Sequence, residues 1–281
     1  MLKGTKTLLI GPPGSGKTTS LVTFCKAGLD LFCLITDPGG EESLIDAARL
    51  YDIPMSKLHW HTISIGVSDW DALDRLAQNL STHSYEGLKK LKSPNLAHPD
   101  TYTHMRLLLQ QLKNFEDENT GKEFGPVGAF GPDRALVFDS LSSLNTLIYQ
   151  LHIGERPSSH EGEYGVVMDY ERRFIESITG SLACFVVLTA HMERIYVSEA
   201  QAHLKLPLFL GKKLAPVLPY LFSDVIVAVK KGGKFSWSTA EADMDLKGRA
   251  LPIQSGLTPS FEQVVDTWRT RNQAVGVPTN D

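Results

Sequence analysis

The apolar positions fall into short continuous runs separated by stretches with helical spacing. The runs are Thr7-Leu8-Leu9-Ile10, Leu31-Phe32-Cys33-Leu34-Ile35-Thr36, Leu58-His59-Trp60-His61-Thr62-Ile63, Ala135-Leu136-Val137-Phe138-Asp139 and Cys184-Phe185-Val186-Val187-Leu188-Thr189. Runs this short, with little polar alternation, predict strands buried on both faces of a parallel sheet. Between them the period changes. Leu21, Phe24 and Cys25 stand at i, i+3 and i+4 in a predicted helix Thr18 to Ala27, and Glu41 to Leu50 reads as a second. Ser68 with Asp71 makes a capping box for a third, with Trp70, Leu73, Leu76, Ala77 and Leu80 on one face. Met105, Leu108, Leu112 and Phe115 mark a helix over 101–115, Leu141, Leu144, Ile148 and Leu151 mark another, and 169–181 is helical as well.

Late in the chain, Val225 to Val229 and Lys234 to Thr239 flank Lys230-Lys231-Gly232-Gly233, a link short enough for an antiparallel hairpin. One short helix is expected after Ser260, then a frayed tail from Asn272 to Asp281. Residues 83–100, 116–134 and 152–168 are rich in Gly, Pro, Ser or charge and are expected as mobile insertions. Strands alternating with helices imply an α/β fold, a mostly parallel sheet with helices on both faces. The expected core covers 1–255, with a C-terminal helix and tail at 256–281.

Composition narrows this picture. A chain of 281 residues that is 42% hydrophobic can bury one large core. A net charge of −4 gives no whole-molecule basic field, so any nucleic-acid contact has to come from local patches. Cys25, Cys33 and Cys184 show no C-x-x-C spacing and sit in apolar segments, which suits buried thiols in a reducing cytoplasm. No apolar run approaches the roughly 18 residues of a membrane span, and no signal-peptide core is seen. A soluble cytoplasmic protein without a membrane partner is expected.

The candidate chemistry begins directly after the first strand. Gly11-Pro12-Pro13-Gly14-Ser15-Gly16-Lys17-Thr18 matches G-x-x-x-x-G-K-[ST], between a predicted strand and a predicted helix. Glycine and proline crowd the loop, so the backbone turns tightly and aims successive N–H groups inward, where an anion belongs. Residues 11 to 19, Thr19 included, are the expected nucleotide cradle. Lys17 reaches for the β- and γ-phosphates, and the Thr18 hydroxyl is placed for Mg²⁺. Asp139 ends a hydrophobic strand and is the second expected metal ligand, although Asp is also a favoured helix cap. Lys17, Thr18 and Asp139 together make an expected Mg²⁺-nucleotide site, which by itself does not distinguish a kinase from an ATPase. His59 and His61 share a strand without a third ligand at recognisable spacing, and are read as ordinary strand positions.

Phe138-Asp139-Ser140-Leu141-Ser142-Ser143-Leu144, after a Gly-Pro-x-x-x-Gly-Lys-Thr-Thr loop, resembles the RecA/KaiC/DnaB group of P-loop ATPases. The resemblance implies a RecA-like core in which an extra strand separates the two Walker strands, a place Leu31–Thr36 can take. It implies that His191, after Cys184–Thr189, senses the γ-phosphate. It also implies that Lys247 and Arg249, in Lys247-Gly248-Arg249, reach the nucleotide of a neighbouring subunit. The active form would then be a homo-oligomer, ring or filament. The group's Asp-x-Glu after the second strand is replaced by Thr36-Asp37-Pro38-Gly39-Gly40-Glu41-Glu42, leaving Asp37 and Glu41 as equal candidates to activate water.

Together with Asp37-Pro38-Gly39-Gly40, Thr189-Ala190-His191 and Asp224-Val225-Ile226, these segments resemble phage RecA-like ATPases associated with single-strand annealing recombination, over residues 5 to 255. The implied function is Mg²⁺-dependent ATP hydrolysis coupled to single-stranded DNA binding in recombination, repair or replication. A single-strand annealing or binding protein is a further implied partner, in the host cytoplasm for a phage gene. DNA-contacting loops are expected at 152–168 and 192–213, the latter with Arg194, Tyr196, Lys205, Phe209, Lys212 and Lys213. A helicase-like or loader motor, a nucleotide-gated interaction protein with little turnover, and a small-molecule nucleotide kinase are the alternatives.

Overall fold

The computed structural model describes residues 2–63, 70–84, 86–87, 90, 103–153, 161–197, 202–207, 217–241 and 244–276. The strands are β1 (Lys6–Ile10), β2 (Asp30–Ile35), β3 (Leu58–Thr62), β4 (Arg134–Asp139), β5 (Phe185–Ala190), β6 (Met192–Val197), β7 (Ala202–Pro207), β8 (Asp224–Lys231) and β9 (Lys234–Ser238). The helices are α1 (Lys17–Leu21), α2 (Thr23–Lys26), α3 (Gly40–Leu50), α4 (Trp70–Thr82), α5 (His104–Lys113), α6 (Leu141–Ile153), α7 (Glu161–Ser181) and α8 (Glu262–Ala274).

Seven strands form one sheet in the order β3-β2-β4-β5-β1-β8-β9. All neighbours are parallel except β8 and β9, which make the expected C-terminal antiparallel pair. The fold is therefore α/β with a mostly parallel sheet. One neighbour relation differs from expectation: the strand between β1 and β4 is β5, and the Leu31–Thr36 run lies on the far side of β4. Backbone bonds from Asp30 to Asp133 and from Thr36 to Asp139 hold it there. Buried strands of equal length look alike in sequence, so the apolar pattern carried no information about order.

The pleat sends successive residues to opposite faces. Leu8, Ile10, Phe32, Leu34, Leu136, Phe138, Val186 and Leu188 enter one core, which α5, α6 and α7 cover. Leu9, Leu31, Cys33, Ala135, Val137, Phe185 and Val187 enter the other, with side chains from α1, α2, α3 and α8. The C-terminal helix is part of that second core. Phe261 stacks on Phe24 at 4.2 Å, Trp268 meets Phe185 at 5.3 Å, and Trp268 Nε1 donates to the Lys3 carbonyl at 3.0 Å. The division expected at 255 thus cuts through continuous packing. Cys25, Cys33 and Cys184 are all buried and free. No helix among the described residues is long and apolar enough to cross a membrane.

The segment 116–134, expected as a mobile insertion, is a packed cap. Phe115, Phe124 and Phe130 converge on Phe32 with ring centroids 5.1, 4.9 and 4.6 Å away. Phe124 donates its amide to the Phe115 carbonyl at 2.8 Å. Buried Asp117 accepts from the Thr120 hydroxyl at 2.6 Å and the Trp60 amide at 3.3 Å, and His59 Nδ1 lies 3.3 Å from it. Burial alone would raise the Asp117 carboxyl; these bonds outweigh it and hold it below its ordinary value.

Other expectations shift in detail. The helix foreseen from Thr18 is broken at Val22 into α1 and α2, and the one foreseen from Asp169 begins at Glu161, inside the expected loop 152–168. Trp70, foreseen on the packed face of α4, is 83% exposed. Most of 83–100, together with Ser68 and 154–160, lies outside the described residues. So do 198–201 and 208–216, and with them Phe209, Lys212 and Lys213. The remainder of the expected DNA-contacting loop 192–213 is not a loop, since β6 and β7 pair antiparallel as a separate two-stranded sheet.

Candidate functional site

Parallel strands deliver their C-terminal ends to one edge of the sheet, where open α/β folds place ligands. Here the turns after β1, β2, β4 and β5 enclose a polar cleft of about 380 Å³, lined by residues 13–19, 37–40, Ser43, Asp139 and His191. A second cavity of about 340 Å³ between α5 and α7 is lined mainly by apolar side chains such as Leu109, Leu112, Phe174 and Ile178. Converging polar groups belong to the first.

The loop from Gly11 needs its glycines. A Cβ on Gly11 would lie 2.8 Å from the Ala228 carbonyl oxygen, and Gly16 sits at φ 83° in the left-handed region. Ser15 N donates to the Pro12 carbonyl at 3.3 Å, closing the turn. Lys17, only 7% exposed, lays its Nζ on the carbonyls of Gly11 at 2.8 Å and Pro12 at 3.2 Å. Burial pushes its pKa below the usual lysine value, against the pull of the Asp139 and Asp37 carboxylates.

Asp139 is a buried member of the cleft lining. Thr18 Oγ1 donates to its Oδ2 at 2.9 Å, and Thr189 Oγ1 donates to its Oδ1. Burial drives its carboxyl above the ordinary range, and the Asp37 charge adds to that, while the two threonines and Lys17 oppose it. Thr18 and Asp139 therefore present hydroxyl and carboxylate oxygens together, a donor set that fits a hard dication such as Mg²⁺. No group of three or more His, Cys, Asp or Glu side chains suited to a metal occurs among the described residues. The fit is thus to a cation that phosphate oxygens and water also ligate.

Asp37, which also lines the cleft, is held by the residue that follows β4, by α6 and by the residue that follows β5. Ser140 Oγ donates to its Oδ1 at 2.8 Å, Ser143 Oγ donates to the same oxygen, and His191 Nε2 lies 3.4 Å from Oδ2. Burial would raise the Asp37 carboxyl, but the bonds from His191, Ser143 and Ser140 win and hold it below its usual value. His191 is fixed in turn by its backbone amide, which donates to Ser142 Oγ at 3.1 Å. Thr36 Oγ1 holds both backbone groups of Ser140, whose peptide bond to Asp139 is cis, accepting from the Ser140 amide at 3.0 Å and donating to the Ser140 carbonyl at 3.1 Å.

No family model matches this chain, and no curated protein matches it. Among solved structures, the ATP synthase subunit NeqB from Nanoarcheaum equitans is similar at 10% identity and a TM-score of 0.37. The match covers 82% of this chain and 46% of that subunit, so the chain spans about half its length. A likeness of that size carries no functional weight.

The remaining expected residues lie elsewhere. Glu41 is in the first turn of α3 and does not line the cleft, so of the two water-activating candidates only Asp37 does. Lys247 pairs with Val225, which pairs in turn with Leu8 at the middle of β1, away from the Gly11–Thr18 turn. Its Nζ donates to the Phe222 carbonyl at 2.8 Å. The Arg249 and Ala250 amides both donate to Asp224 Oδ1 at 2.7 Å, so this carboxylate shapes the turn, and the Arg249 side chain is exposed. Neither cation lines the cleft of its own chain. Four residues that sequence reasoning left out do shape it: Thr36, Ser140, Ser143 and Thr189. The signals were a hydroxyl closing each of two apolar runs and the serines directly after Asp139.

Proposed function

We propose that this chain is a Mg²⁺-dependent ATPase with a RecA-like P-loop core, coupling ATP binding and hydrolysis to single-stranded DNA binding in recombination, repair or replication. The observation that carries the reading is that Asp139, in the cleft lining, accepts from both Thr18 and Thr189, while Lys17 and the Asp37–His191 pair line the same cleft. Lys17 and the loop amides would hold phosphate oxygens. Thr18 and Asp139 would hold Mg²⁺, which when bound neutralises charge on the β- and γ-phosphates.

Asp37 is the group suited to orient the attacking water. It lines the cleft, its carboxyl is held in the ionised form, and Ser140 and Ser143 fix its rotamer. His191, bonded through its ring to Asp37 and through its amide to Ser142, is suited to sense what lies beside Asp37 and transmit it to α6. Arg249, exposed on the turn shaped by Asp224, would act on the nucleotide of a neighbouring subunit. The DNA contact would fall on the β6–β7 region and the residues around it.

One observation favours a second reading, a nucleotide-gated interaction protein with little turnover. Both Asp37 oxygens already have partners within the chain. The test is the steady-state ATPase rate with and without single-stranded DNA, on wild type and Arg249→Ala. DNA should stimulate the wild type, and Arg249→Ala should bind nucleotide without turning it over. Turnover by a monomer, indifferent to DNA and to Arg249, would sink the coupled-ATPase reading. Tight ATP binding without turnover would select the second.

A further inference from the structure

We propose that Phe235, at the base of β9, holds the nucleoside end of the bound nucleotide by stacking against it. The inference rests on the nucleotide reading above and adds a residue that the motifs do not reach. β8 runs past the end of β1: Val227 pairs with Ile10, the last residue of β1, and Ala228 to Lys231 continue alongside the loop. The return strand brings Phe235 back opposite Lys230. Its ring lies against the glycine loop itself, for a Cβ on Gly16 would be 3.1 Å from Phe235 Cδ1 and 3.6 Å from Cε1.

The direction of the triphosphate follows from the cleft. Thr18 and Asp139 would hold Mg²⁺, which would neutralise charge on the β- and γ-phosphates, and Lys17 would address the same two phosphates. The Thr18–Asp139 oxygens and the Asp37–His191 pair lie toward β4 and β5, so the γ end points to that side. The nucleoside must then leave the loop on a flank away from Asp139. β8 and β9 lie on the side of β1 opposite β5 and β4.

What stands on that flank is an aromatic ring with open surface. Phe235 is 46% exposed, whereas Trp237, two residues on, is fully buried. Lys230 Nζ lies 5.4 Å from the Phe235 centroid, a cation over the ring. A nucleobase can stack on an aromatic face whatever its hydrogen-bonding edge, because every base has a π-face. A ring pressed on the phosphate loop and open to solvent is placed for that contact.

The test compares two ligands that share phosphates and differ in the nucleoside. Dissociation constants of ATP and of inorganic tripolyphosphate, with Mg²⁺, are measured by calorimetry on wild type, Phe235→Ala and Phe235→Trp. Stacking predicts that Phe235→Ala weakens ATP about ten- to a hundredfold, leaves tripolyphosphate within about twofold, and that Phe235→Trp restores ATP binding. Equal weakening of both ligands would mean the ring only props the loop and would overturn the proposal, as would ATP binding indifferent to Phe235→Ala. Wild type that binds neither ligand would instead sink the nucleotide reading, and this proposal with it.

Discussion

Thr189→Val isolates the hydroxyl that sequence reasoning left out of the site. Thr189 is 0% exposed, and valine keeps its shape and β-branching while removing the donor to Asp139 Oδ1. A hydrogen bond to a charged group contributes about 1.5–3 kcal/mol, and a buried carboxylate that loses one cannot turn to water instead. Groups that hydrogen-bond a metal ligand typically change metal affinity by about 10–100-fold when removed, which agrees with that range. The loss should appear only where Asp139 acts through the metal. Titration of a fluorescent ATP analogue should therefore show Mg²⁺-dependent binding weakened about 10–100-fold, with binding in EDTA unchanged. Circular dichroism establishes that the variant is folded. Equal loss with and without Mg²⁺, or no loss in a folded variant, would refute the role given to Thr189.

Asp37→Asn should retain nucleotide binding while turnover falls by about 10²–10⁴, the range for a positioned acid–base group, as read from kcat against KM. For Asp139 the folded-state pKa is raised, so the folded chain holds a proton that the unfolded chain releases. Its contribution to stability without nucleotide should be in place below the ordinary carboxylate value and decline as pH rises from there through the raised one. Asp139→Asn should flatten that decline in melting curves and abolish stabilisation by Mg²⁺-ATP; part of the slope remains, because burial raises Asp224 as well. Asp37 has the opposite sign, so its contribution is in place above the ordinary carboxylate value and lost only as pH falls through its lowered one. Phe130→Ala should cost about 3–5 kcal/mol in urea unfolding; a cost under about 1 would mean that the 116–134 cap is not part of the cooperative unit.

The parallel strands were legible because each is a short apolar run, and the loop at Gly11–Thr18 because its chemistry is local. Strand order was not legible, since Leu31–Ile35 and Phe185–Leu188 are equally apolar and only their hydrogen-bonded neighbours tell them apart. The cap was hidden for a related reason. Its glycines and prolines advertise a loop, while its order comes from three phenylalanines that meet Phe32 some 80 to 100 positions away in the chain. Asp37 and Glu41 could not be ranked from sequence because the difference lies in Ser140, Ser143 and His191, which reach Asp37 only in the fold. Thr189 escaped notice because threonine at the end of an apolar run also suits a strand by its β-branching. Lys247 and Arg249 resemble cations aimed at a neighbouring subunit's nucleotide, and sequence could not show that Lys247 bonds the Phe222 carbonyl while Asp224 shapes their turn.

In the proposed function, ATP held at the Gly11–Thr18 loop is hydrolysed there with Mg²⁺. Phosphate release from ATP by purified wild type and Lys17→Ala, each with Mg²⁺ and with EDTA, tests it most directly. Wild type should turn over with Mg²⁺ alone, and Lys17→Ala should lose at least about a hundredfold, as when a group stabilising transition-state charge is removed. Turnover at the wild-type rate in Lys17→Ala, or in EDTA, would contradict it.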